Sequence, residues 1–295
     1  IKFIFKNLFK YFFCLFYIGL IRVEGDLLVW DEENENDEDV SFRYSDIKNM
    51  CMNNNLLIVN DKLVYWNFPV DIFEYFDEVY ILTYLFNGQI QKYYYDLHEV
   101  DYSYYQIKDF KLFPYSKELA VTRVKELKKL INIHDGKINS IGDEKFALSF
   151  TWFEKDRDND DVLSTILKNN LYNWFRNMNN STSKERLWCT FKDVESKIRG
   201  KGYSKRFLPM NMRATNEYRN TKILAYCCNR FLKPDIKTLF AVKNITVDED
   251  LWALSELIQW IWRSQIRENK PIEIYIPSKR MRDLLKQFLD GKITF

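Results

Sequence analysis

Uninterrupted apolar runs alternate along this chain with longer stretches of helical period, and that alternation predicts an α/β fold. In the first half, Leu27-Leu-Val-Trp30 precedes a solvated acidic loop, and residues 45–53 have a helical pattern. Leu56–Val59 and Leu63–Trp66 flank Asn60-Asp61, a hairpin signal. Pro69-Val-Asp71 starts a short helix ending near Phe76. The run from Val79 to Phe86 is continuously apolar between Asp77-Glu78 and Asn87-Gly88, which predicts a buried strand of parallel type. A helix is predicted over 89–98 and an alternating edge strand over 101–108.

In the second half, Pro114 punctuates a crossover, and an amphipathic helix is predicted over 117–133. A buried strand is predicted over 146–153, then helices over 160–178 and 187–199. A strand over 206–211, helices over 219–232 and 248–268, a strand over 272–276 and a helix over 278–289 complete the reading. Strands alternating with helices imply a mostly parallel sheet.

Composition changes this picture little. Apolar content of 46% supports real cores, and 295 residues suggest two domains. Aromatics reach 17%, which AT-rich coding would also produce, so no single aromatic cluster carries weight. The net charge is +2, but its distribution is uneven. Residues 31–39 hold seven acids and no base, whereas 184–213 hold nine Lys/Arg against three acids, so the basic second half can attract phosphate or remain a solvated surface. Five cysteines form no CxxC pair, and with only His98 and His134 available no metal-ligand spacing appears, which excludes a zinc-finger reading. The odd cysteine count points to a reduced, cytoplasmic setting.

Residues 1–24 contain a lysine-dotted apolar segment after Ile1. It reads either as a truncated or buried piece, or as a signal or membrane anchor; the uninterrupted run is short for a span.

Candidate chemistry is concentrated late in the chain. Gln259, Arg263 and Arg267 fall at i, i+4 and i+8, which on one helix places an amide and two guanidiniums on one face, a phosphate-binding set or a solvated face. Thr83 lies inside the apolar run Ile81-Leu-Thr-Tyr-Leu85, as a cleft hydroxyl or a backbone-bonded one. Thr215 and Asn216, in Arg213-Ala-Thr-Asn-Glu-Tyr218, sit between a predicted strand and helix, where they suit anion contact or capping. Lys197, Arg199, Lys201 and Lys205 surround Gly200 and Gly202 in a basic turn, but GxxxxGK[ST] is absent.

Tyr80–Phe86, Arg213–Tyr218 with Leu224-Ala-Tyr226, Ser255–Arg267 and Tyr275–Arg282 together resemble the C-terminal part of phage- and mobile-element-encoded helicase-like proteins of the DEAD/DEAH superfamily 2 type. The resemblance covers roughly residues 27–295 and is densest over 205–285. It implies a second RecA-like domain, a parallel sheet flanked by helices, over 140–295. It also implies a truncated remnant of a first RecA-like domain over 25–110, and a linker and helix over 111–139.

By the same resemblance, Arg263, with Gln259 and Arg267, would reach the γ-phosphate of ATP·Mg2+. Thr83 would be the coupling motif, and Thr215 and Asn216 would lie by the nucleic-acid backbone. Lys197, Arg199, Lys201 and Lys205 are read separately, from their charge, as contacts to backbone phosphates. Trp262 stands where the family's last motif has glycine, and Arg267 comes one residue late. The phosphate loop would lie upstream, so the expectation is the tail of a nucleic-acid-dependent ATPase, inactive alone. The rival expectations are a non-catalytic nucleic-acid-binding protein and a secreted or membrane-anchored one.

Overall fold

The computed structural model describes residues 14–34, 43–59, 63–212 and 215–293. The chain forms two compact units. One comprises residues 1–82, 95–100 and 233–246; the other comprises 83–94, 101–232 and 247–295.

The first unit is built on a four-stranded antiparallel sheet in sequential order. β1 (Ile21–Glu24) and β2 (Leu27–Trp30) turn at Gly25, whose φ of +61° suits glycine. Helix α1 (Ser45–Met52) leads into the hairpin of β3 (Leu56–Val59) and β4 (Leu63–Trp66), which forms as its sequence predicts. Alternate residues of β2 face a core of Leu15, Leu20, Leu28, Trp30, Ile47, Cys51 and Leu56. The described part of the apolar N-terminal segment is thus partly core, with Leu15 and Ile21 buried; residues 1–13 lie outside the described residues.

The apolar run Val79–Phe86 requires a correction. It is no strand: residues 77–83 are irregular and exposed, and Leu82 is 83% accessible. Apolar content alone cannot make a buried strand where no neighbour supplies ladder bonds. Only its end packs, where Tyr84 stacks on Trp262 at 5.7 Å and Leu85 is buried. A 3-10 turn at Phe86–Gly88 precedes α2 (Ile90–Leu97).

The second unit holds the parallel sheet. A hairpin of β5 (Tyr105–Lys108) and β6 (Lys111–Pro114) precedes α3 (Lys117–Lys128) and β7 (Ile131–Ile133). The predicted helix over 117–133 therefore ends early, and its last residues open the sheet. α4 (Phe150–Arg157) and α5 (Val162–Tyr172), with a π-helical extension over 173–178, lead to β8 (Arg186–Cys189) and the short α6 (Glu195–Ile198). β9 (Ile223–Tyr226) is followed by α7 (Pro234–Ala241), which belongs to the first unit, and then by α8 (Glu249–Ile261), β10 (Ile272–Tyr275) and α9 (Lys279–Leu289).

Four further predictions are corrected. Residues 146–153 are not a strand, because Ser149 accepts from Trp152 N at 3.2 Å and starts α4. The predicted helices over 187–199 and 219–232 hold β8 and β9, whose fully buried runs look the same as a buried helix by period alone. The predicted strand over 206–211 reduces to a bridge between Phe207 and Trp188.

The sheet order is β7-β10-β9-β8, all parallel. Trp188, Ile223, Ala225, Cys227 and Tyr275 face one core, closed by α4, α5 and α6. Tyr226 faces the other way and meets Trp260 of α8 at 5.3 Å; α8 packs on α9, and α9 on α3. β7 and β8 thus lead to helices on the first face, β9 and β10 to helices on the second. Adjacent β7 and β10 send the chain to opposite faces. That makes a topological switch point, and ligands of open α/β sheets bind outside the carboxyl ends of strands there.

Candidate functional site

The carboxyl edge collects buried polar atoms that no described residue satisfies. His134 Nε2 and Asn139 Oδ1 follow β7, Thr190 Oγ1 follows β8, and Arg230 Nε lies just beyond β9, while the Tyr226 hydroxyl at the end of β9 has the Cys228 thiol as its polar neighbour. Asn139, Thr190 and Tyr226 are 4%, 1% and 0% exposed. A buried polar atom without a partner costs about 1–3 kcal/mol, so several along one edge need a reason.

The backbone holds these groups in place. His134 N donates to Ile274 O at 2.9 Å, and Asn139 Nδ2 donates to His134 O at 2.9 Å, which aims the other end of the amide away from β7. The His134 ring lies 5.0 Å from Trp174 and 5.9 Å from Tyr275. Burial pushes its imidazole below the usual histidine range; Asp135 opposes that shift and Arg282 adds to it. Burial drives the Tyr226 phenol well up, so it stays protonated.

A neutral imidazole and, beside it, one amide oxygen lie on the Trp174 and Tyr275 side, one guanidinium N–H lies on the α8 side, and Thr190 adds a hydroxyl after β8. Asn139 Oδ1 can only accept and Arg230 Nε can only donate.

A strap over residues 136–149 crosses this edge. Gly142 packs so closely on β10's exit that a Cβ there would lie 2.0 Å from Pro277 O. Asn229 latches the far end: its N donates to Leu148 O at 2.8 Å, and Nδ2 donates to Lys145 O at 3.0 Å and Ala147 O at 3.2 Å. Arg280 braces the latch, donating to Asn229 Oδ1 at 3.0 Å and Arg230 O at 2.6 Å, with Nε on Asp250 at 2.8 Å. Arg282 donates to Ile276 O at 2.8 Å and Pro277 O at 2.9 Å. These two arginines are structural.

The residues singled out by charge lie elsewhere. α8 runs antiparallel to the strands and ends at Ile261, so Gln259 is helical, Arg263 follows the helix in a turn, and Arg267 sits in a 3-10 turn, Gln265–Glu268. The single helical face expected for them is broken at Trp262, where Ser264 caps the next turn. This segment meets the amino ends of the strands, since Gln265 N donates to Thr221 O at 3.0 Å, just before β9. Arg267 Nη1 donates to Asn216 Oδ1 at 2.5 Å, and Thr215 Oγ1 accepts from Glu217 N at 3.3 Å. Arg213 lies outside the described residues. Thr83 is exposed and accepts from the Gln89 amide.

The basic turn lies by the same amino edge. Lys197 pairs with Asp161, while Arg199, Lys201 and Lys205 are exposed. Fully buried Tyr203 fixes the turn through its hydroxyl on Ile198 O at 2.6 Å, and Arg186 Nη1 donates to Gly202 O at 2.8 Å. Sequence reasoning passed over His134, Thr190, Tyr226 and Asn139. Their one signal was position immediately beyond, or at the end of, a short apolar run.

Among the described residues no group of three or more His, Cys, Asp or Glu is placed to hold a metal ion, and no helix is long and apolar enough to cross a membrane.

Two family descriptions match the chain: the YonV C-terminal Rossmann-like domain over residues 125–289 and the YonV middle domain over 12–66. An SPbeta prophage-derived uncharacterized protein, YonV of Bacillus subtilis (strain 168), is 43% identical over 284 residues, spanning 94% of this chain and 68% of the relative. No solved structure matches.

Proposed function

The chain belongs to the YonV family, and from that premise we infer that its Rossmann-like domain binds a nucleotide at the carboxyl edge of the parallel sheet. The observation that carries this reading is the set of unsatisfied buried polar atoms after β7, β8 and β9, with His134 and Asn139 nearest the switch point of β7 and β10. Donors and acceptors are both present along that edge, which suits a ribose and base. Asp143 and Asp250 lie by arginines, so a divalent ion would arrive with the nucleotide's phosphates rather than in a protein cage.

Thermal unfolding with and without Mg·ATP, Mg·GTP or NAD tests this. A ligand at a hundredfold excess over its Kd adds about 2.7 kcal/mol, on the order of 5–10 °C for a domain of this size. That shift is expected for at least one of the three and is expected to vanish in Thr190→Val. No shift with any would refute the reading.

A second reading has its own observation: the rigidly held, exposed Arg199, Lys201 and Lys205 suit backbone phosphates of a nucleic acid. Replacing all three by glutamine should weaken single-stranded DNA or RNA binding and flatten its salt dependence. The helicase-type ATPase is an extension of this reading. Under it Arg263→Ala in a longer protein that carries the phosphate loop would abolish nucleic-acid-stimulated ATP hydrolysis with binding retained; unaltered hydrolysis there would exclude that role.

A further inference from the structure

The strap does more than cover the carboxyl edge, because it presents an aromatic ring to solvent. Phe146 is 59% exposed and sits beside the Asn229 latch. Its ring lies 5.6 Å from that of Phe231, inclined at 44°. Phe231 is in turn covered by the Arg280 guanidinium at 4.4 Å. Lys145 Nζ stands 5.4 Å over the Phe146 ring. Phe231 is therefore wedged, Phe146 is open, and two cations flank the pair.

The backbone holds this shelf in place. Asn229, 1% exposed, binds the carbonyls of Lys145 and Ala147 on either side of Phe146. Asn229 Oδ1 accepts a hydrogen bond from the same Arg280 that covers Phe231. Latch, shelf and brace are one connected set, which fixes the ring before any ligand arrives.

We propose that Phe146, backed by Phe231, is the stacking platform for the base of the nucleotide bound at the carboxyl edge, and that Asn229 is the positioning residue that holds it. The proposal rests on the nucleotide reading above and adds the base subsite to it. A planar base covers an exposed ring, and Lys145 supplies positive charge that favours a phosphorylated ligand beside it. Stacking of this kind is tolerant of base identity, so adenine and guanine nucleotides are both accepted.

Titration calorimetry of the full chain with ATP, adenosine and inorganic triphosphate tests it. Phe146→Ala is expected to weaken ATP and adenosine about tenfold, within the range for loss of one base–aromatic stack, and to leave triphosphate unchanged. Phe146→Leu should behave like Phe146→Ala, and Phe146→Tyr should restore binding. Asn229→Ala is expected to weaken adenosine without changing triphosphate.

Equal loss for adenosine and triphosphate in Phe146→Ala would overturn the proposal, as would unchanged ATP affinity. If wild-type protein binds none of the three, the nucleotide reading itself falls and the shelf with it. If Phe146→Ala abolishes self-association and leaves ATP affinity intact, the ring is a contact between copies and the base subsite is refuted.

Discussion

The two edges of the parallel sheet are chemically opposite. At the amino edge charge is conspicuous, and the charged groups there largely have partners within the protein. Arg267 is bonded to Asn216, Arg219 lies 3.5 Å from Glu268, Lys222 reaches Glu185 at 2.6 Å, and Arg206 lies 4.8 Å over Tyr218. At the carboxyl edge Arg280 and Arg282 are equally well braced, but other groups are left over: an imidazole nitrogen, an amide oxygen, the Thr190 hydroxyl and the Nε of Arg230. Charge marks where a sheet is held together or solvated. Buried polar groups without partners at several strand ends make a candidate binding edge, because no folded chain keeps such groups without cost.

The largest effect should come from breaking the amino edge. Arg186 is 3% exposed and donates to Ser181 Oγ at 2.9 Å, Gly202 O at 2.8 Å and Phe175 O at 3.3 Å. Arg186→Ala removes a buried guanidinium and the charge-assisted bonds it makes to Ser181, Gly202 and Phe175, and should cost about 3 kcal/mol or more in chemical denaturation. A loss under 1 kcal/mol would mean this edge is not the structural one.

Next in size, and opposite in sign, is Thr190→Val. The swap removes an unsatisfied hydroxyl at nearly constant volume, so the free protein should be unchanged or about 1 kcal/mol more stable. Nucleotide-dependent stabilisation should be lost in the same variant. A protein that gains stability while losing binding is what a ligand-facing hydroxyl predicts, and a purely structural threonine does not behave so.

A smaller effect follows from pH. His134 is held below its unfolded value, so the unfolded chain takes up the proton first as pH falls. Its contribution is complete above the unfolded pKa of about 6.5 and is lost as pH drops from there through the folded value. His98, in the other unit, is shifted the same way by burial. Stability measured from pH 7.5 to 5 should therefore fall, and His134→Gln should flatten part of that fall. An unchanged slope would remove His134 from the account.

The smallest effect is expected from Arg267→Ala, under about 1 kcal/mol as for other partly exposed pairs, with nucleotide binding untouched. This contrast bears on what the sequence could show. β10, α9, α5 and the β3–β4 hairpin were legible because period, caps and turn residues agreed. β8 and β9 were not, since Leu187–Cys189 and Ile223–Tyr226 are buried on both faces and carry no alternation.

Missing those two strands hid Thr190 and Tyr226, whose significance comes only from standing at strand ends. Whether a hydroxyl finds a partner is a property of packing and cannot be read from residue type. The spacing of Gln259, Arg263 and Arg267 was legible but misleading, because a helix that precedes a strand delivers its last residues to the amino edge.

Hydrogen–deuterium exchange with and without saturating Mg·nucleotide compares both edges in a single sample, and so tests the central claim most directly. The account predicts slowed exchange in residues 134–149, 190–191 and 228–231, with 199–206 and 263–268 unchanged. Protection confined to 199–206 or 263–268, with the carboxyl edge unaltered, would contradict it.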